Sequence, residues 1–153
     1  MEPIGTGVAP SAGCELVTSR VIDAPRERVF EVFRDPERLA RWWGPKGFTN
    51  TFELFEPWIG GRWRYVMRGP GGGEYPNESM FEELGWPEQI TIRHVSGPPF
   101  LLYVTLVDAG SRTRLTWRQV FESAEMCDRV RGIAVPANEE NLDRLEAELR
   151  QGA

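Results

Sequence analysis

Little in this chain announces a catalytic centre. It carries one histidine, His94, and two cysteines, Cys14 and Cys127, far apart. That excludes a zinc site and a closely spaced redox pair. A disulfide is open to the two cysteines, but two free thiols in a reducing compartment are the expectation. Long apolar runs are absent: nothing approaches the roughly 18 residues of a membrane span. The first residues lack the basic and apolar regions of a secretory leader. A cytoplasmic protein without membrane insertion is expected. Positive charge is scarce too, with Lys+Arg 18 against Asp+Glu 23, a net charge of −5, and Lys46 as the only lysine. Nucleic acids and anionic membranes demand the opposite balance. The glycine-rich run Gly69-Pro70-Gly71-Gly72-Gly73 lacks the following helix and Lys-Ser/Thr of a phosphate loop, and no nucleophile elbow is present. No metal and no cofactor are expected.

What the chain does have is tryptophan at turns. Arg41-Trp42-Trp43-Gly44-Pro45 and Pro57-Trp58-Ile59-Gly60-Gly61-Arg62-Trp63 set large rings where the backbone bends sharply. Such rings pin helices across a sheet or wall a cavity. The 153 residues suit one domain, and a chain of this size buries roughly 70% of its unfolded surface. Residues 1–14, rich in Gly, Pro, Ala and Ser, read as a flexible tail, and 15–153 as the domain. Glu15 to Asp23 reads as a strand. Ala24-Pro25 opens a helix with Val29, Phe30 and Phe33 on one face. Asp35 caps a second, whose inner face is Leu39, Trp42 and Trp43. Strands follow over Thr49–Glu56, Arg62–Arg68, Glu74–Leu84, Gln89–Val95, Leu101–Val107 and Thr113–Phe121. The last helix, with Leu142, Leu145 and Leu149 on one face, is placed with its start between Pro136 and Asn138. The segment from Phe121 to Pro136 is then left to carry the chain back over the sheet. The fold class is α+β, a curved antiparallel sheet wrapped around a long C-terminal helix. A curved sheet does not close flush on a helix, and the space between them is a pocket.

The stretch from Val32 to Thr49 around Trp42-Trp43-Gly44-Pro45 is one of four that resemble a known family. The others are Phe55–Pro70, Phe81–Ile92 and Arg112–Ser123. Together they resemble the START-like, birch-pollen-allergen-like helix-grip superfamily (SRPBCC), and within it the domain homologous to the C-terminal part of the activator of the heat-shock protein 90 ATPase. The resemblance covers residues 15 to about 150. Where the family usually carries Gly-Trp ahead of the last helix, this chain reads Val135-Pro136-Ala137-Asn138-Glu139-Glu140. The resemblance implies binding of a small hydrophobic molecule, lipid-like or polyketide-like, in the cavity. It also leaves open a cyclase or aromatase-type enzyme using that cavity, a chaperone-associated or other protein-interaction module, and a homodimer.

Candidate residues follow from strand alternation and helix spacing. Trp43, Trp63, Tyr65, Met67, His94, Trp117, Gln119, Leu142 and Leu145 are the expected ligand-binding set. Trp63, Tyr65 and Met67 share one face of a strand, and Trp117 and Gln119 one face of another. His94 shares a face with Ile90 and Ile92. His94 and Tyr65 are the candidate acid–base groups, and a catalytic His94 needs a carboxylate near it, with Glu78 and Glu82 on the strand expected to neighbour it. Asn138 and Asn141 are expected to divide two roles, one capping the last helix and one facing the pocket mouth. A guest burying about 300 Å² of apolar surface gains about 7 kcal/mol gross, which ordering costs reduce to micromolar binding.

Overall fold

The computed structural model describes residues 14–151. Apart from Cys14, the expected tail lies outside the described residues. The order of elements is β1 (Glu15–Ile22), α1 (Arg26–Arg34), α2 (Pro36–Trp42), β2 (Thr49–Phe55), β3 (Arg62–Arg68), β4 (Glu74–Gly85), β5 (Gln89–His94), β6 (Phe100–Ala109), β7 (Arg112–Phe121) and α3 (Ala124–Gln151). The strands form one seven-stranded sheet in the order β1-β7-β6-β5-β4-β3-β2. Every neighbouring pair is antiparallel. Short turns join β2 to β7 in succession, while α1 and α2 carry the chain from one edge of the sheet to the other. Register shifts at Phe52/Leu54 and Phe81/Glu83 add local bends, and such bulges increase the twist that curls a sheet.

The concave face is filled by rings. Trp42, Trp43 and Trp63 stand edge to face in a chain, with centroids 5.6 Å and 5.3 Å apart. Phe33 packs on Trp42 at 4.8 Å, and Phe81 on Trp63 at 5.0 Å. Edge-to-face pairs of this kind add about 0.5–1.5 kcal/mol each beyond the area they bury. The two tryptophan turns differ: Trp42, Trp43 and Trp63 are buried, whereas Trp58 is 58% exposed. Asp35 caps α2 as expected, its side chain accepting from Glu37 N. Gly61 has no room for a side chain, since a Cβ there would lie 2.0 Å from the Glu56 carbonyl oxygen.

The last helix corrects the sequence reading. α3 begins at Ala124, not between Pro136 and Asn138, and Pro136 lies inside it. Ser123 starts it, its hydroxyl accepting from Met126 N at 3.1 Å. Neither Asn138 nor Asn141 caps a helix. Proline removes one backbone bond, but α3 is held from outside by side chains on either side of that position. Ahead of it, Cys127, Met126, Val130 and Ala134 pack with Cys14, Leu16 and Phe121. Both cysteines are free and buried, and Cys14 Sγ donates to the Phe121 carbonyl at 2.8 Å. Beyond it, Arg20 of β1 binds Glu139, Asp143 and Glu146 at 2.8, 2.7 and 2.9 Å.

Candidate functional site

Two residues of α3 hold the double-tryptophan turn against the helix. Asn141 donates through Nδ2 to the Trp42 carbonyl at 2.7 Å and accepts from Gly44 N at 3.2 Å. Arg144 reaches five carbonyls: Nη1 donates to those of Trp43, Gly44 and Pro45, and Nη2 to those of Arg41 and Phe48, at 2.8–3.1 Å. Gly44 sits at φ 96°, and a Cβ there would be 2.6 Å from Met67 Cε. The left-handed backbone of the turn is what favours glycine here, while Met67 is flexible enough to give way.

Beside that turn lies a hollow of about 140 Å³, lined by Trp43, Gly44, Tyr65, Met67, His94, Phe100, Leu102, Trp117, Gln119, Asn138 and Asn141. Met67, His94, Phe100 and Asn138 are half-buried and form its rim; the others are buried and form its floor. Six of the expected residues meet here: Trp43, Tyr65, Met67, His94, Trp117 and Gln119. Trp63, Leu142 and Leu145 do not line it and belong to the solid core behind it. Gly44, Phe100 and Leu102 are additions to the lining, and Asn138 and Asn141, one of which was expected at the pocket mouth, both reach it. Phe100 and Leu102 were readable, since they alternate on the strand whose register sets Leu102 opposite Gln119. Larger grooves run along α3, one past Arg41, Arg144 and Glu148 and one past Glu15, Arg131 and Glu139. Their walls mix charged side chains with polar and small apolar ones and hold no aromatic ring.

The polar groups of the hollow are mostly engaged by the protein. Trp43 Nε1 donates to the Tyr65 hydroxyl at 3.4 Å, which also meets Ser79 Oγ at 3.0 Å. Burial pushes the Tyr65 phenol above its ordinary pKa of 10.0, so it stays protonated at neutral pH. His94 Nδ1 lies 3.2 Å from the Pro98 carbonyl and Nε2 2.9 Å from Asn77 Oδ1. Both oxygens accept, so the ring presents an N–H to each when charged and to one when neutral. Its ring stacks on Phe100, centroids 4.7 Å apart at 11°. Burial lowers its pKa below 6.5, outweighing the Pro98 and Ser96 contacts. The carboxylates expected beside it are turned elsewhere: Glu78 lies 3.8–3.9 Å from Arg64 and Arg62, and Glu82 pairs with Arg93. Gln119 Oε1 accepts from Asn138 Nδ2 at 3.0 Å. Among the described residues no group of His, Cys, Asp and Glu could hold a metal, and no helix is long and apolar enough to cross a membrane.

An antiparallel sheet curved over its terminal helix, with a ring-walled hollow between them, defines the helix-grip class of α+β domain. Within that class the model of the family described as activator of Hsp90 ATPase homolog 1-like protein matches residues 23–150, and the chain belongs to this family. Among curated proteins none matches the chain. Solved structures do. A protein from Nitrosomonas europaea is 20% identical with a TM-score of 0.84, covering 93% of this chain and 97% of its own. One from Arthrobacter aurescens is 25% identical at 0.84, covering 94% and 91%. A protein named AHSA1 from Silicibacter pomeroyi is 21% identical at 0.72, covering 91% and 99%.

Proposed function

We propose that this protein binds a small, mostly apolar molecule in the hollow between sheet and α3. The observation that carries this reading is an opening walled by Trp43, Tyr65, Phe100, Leu102 and Trp117. Its volume is near the roughly 150 Å³ apolar cavity known to admit benzene. The guest that fits without rearrangement is one ring with a short arm, smaller than the 300 Å² body expected from sequence. At about 25 cal/mol per Å², a buried area of about 200 Å² gives about 5 kcal/mol gross. After ordering costs, affinity falls toward the millimolar range. Turnover has less support: the polar atoms of His94 and Tyr65 already have protein partners, and the carboxylates expected near His94 face arginines. The two unpaired thiols suit a reducing compartment such as the cytoplasm.

The test is titration of the ¹⁵N-labelled protein with ethylbenzene. The indole N–H signals of Trp43 and Trp117 are expected to shift saturably, and Leu102→Phe, which fills the floor, is expected to abolish the shift. Unmoved indole signals up to the solubility limit would sink the reading.

A further inference from the structure

We infer that the guest carries one hydrogen-bond acceptor, a carbonyl oxygen, and that the Gln119 side-chain amide receives it. This rests on the binding reading above and goes on to name the chemical class. Most polar atoms around the hollow already have protein partners. The Tyr65 hydroxyl is shared between Trp43 and Ser79. Both ends of the Asn141 amide are bonded to the double-tryptophan turn. Both nitrogens of His94 face protein oxygens. Trp117 Nε1 has no partner, but the atom itself is buried. Gln119 differs from all of these. It is only 7% exposed on the inward face of β7, and its Oε1 is taken by Asn138. Among the described residues nothing accepts from its Nε2, and that atom is not sealed off.

A buried amide with one end used and one end open to a hollow is a fixed donor. A hydrocarbon placed over it strips its water and returns nothing, whereas a carbonyl restores the bond. Asn138 holds the amide in place, its Nδ2 donating to the Gln119 oxygen at 3.0 Å. The neighbouring walls, Trp117, Phe100 and Leu102, accept only an apolar body. The site therefore fits a small aryl or cyclic ketone or aldehyde better than the hydrocarbon of the same shape.

Ethylbenzene and acetophenone differ in little but the oxygen. In the wild type, acetophenone is expected to bind at least as tightly as ethylbenzene, despite being the harder of the two to dehydrate. Gln119→Met keeps the side-chain length and removes the donor. It is expected to weaken acetophenone by about tenfold and leave ethylbenzene unchanged or tighter. Acetophenone binding tenfold or more below ethylbenzene in the wild type overturns the inference and leaves the binding reading standing. The same holds if Gln119→Met weakens both ligands equally. If neither ligand binds, the binding reading fails and this inference with it. The wild-type comparison needs no variant to fold; Gln119→Glu, which offers an acceptor in place of the donor, supplies a second substitution and is expected to disfavour the ketone likewise.

Discussion

At the scale of single residues, the hollow is defined by what Met67 and Tyr65 do with their tips. Met67 is the flexible part of the rim, a side chain with three rotatable bonds lying against Gly44. Shortening it in Met67→Ala is expected to enlarge the opening enough for a two-ring guest. Naphthalene should therefore shift the indole signals of the variant and leave those of the wild type in place. Tyr65→Phe removes the hydroxyl between Trp43 and Ser79. The expected loss is about 1–2 kcal/mol in urea denaturation, from two partners left unmatched, with ethylbenzene binding retained. Much of this site could be read directly, because Tyr65 and Met67 alternate on one strand and Trp117 and Gln119 on another. The bonding role of Asn141 could not: beside Leu142 and Leu145 it reads as a helix cap or a residue at the pocket mouth. Its real task, bonding the backbone of a turn some hundred residues earlier, leaves no local trace.

At the scale of elements, the strands were legible and the long helix was only half so. Alternation in β3 and β7 survives intact because one face is buried and the other is not. The first half of α3 was hidden by Pro136, which usually ends a helix, and by exposed residues such as Ile133 at 78%. The signals missed were Ser123 as a cap and the Cys127, Val130, Ala134 stripe. Ser123→Ala is expected to lower stability by about 1 kcal/mol, seen in thermal melts. Arg144 is the larger lever. Lysine at this position keeps the charge but has no planar fork, so it cannot meet five carbonyls on two nitrogens. Arg144→Lys is expected to cost about 1–3 kcal/mol. It should also broaden the amide resonances of residues 41–48, the segment that borders the hollow.

At the scale of the whole molecule, charge sets the response to acid. Glu148 is almost fully buried on α3; its bonds with Arg41 hold its carboxyl below the ordinary 4.5, burial opposes this, and Arg38 adds to the lowering. Glu139, bonded first by Thr18 and then by Arg20, is lowered likewise. A carboxylate depressed in the fold adds stability that is complete above its unfolded value and disappears as pH falls through the folded one. His94, lowered below 6.5, acts in the same direction at higher pH: protonating it favours the unfolded chain. Melting temperature is therefore expected to hold level between about pH 7 and 8. It should decline gently below 6.5 and steeply below 4.5, with the steep limb flatter in Glu148→Gln. A melting temperature that rises on acidification would contradict these pairings.

The strand order has a consequence for how such a molecule is made. β1 finds its partner only in β7, with Glu15 set opposite Val120. On the ribosome the opening strand must wait, unmatched, while nearly everything that follows is translated. Pairings that remote fold slowly, in milliseconds to seconds rather than microseconds. Nascent chains arrested before Arg112 should stay open to protease at β1, and those released beyond Gln151 should not.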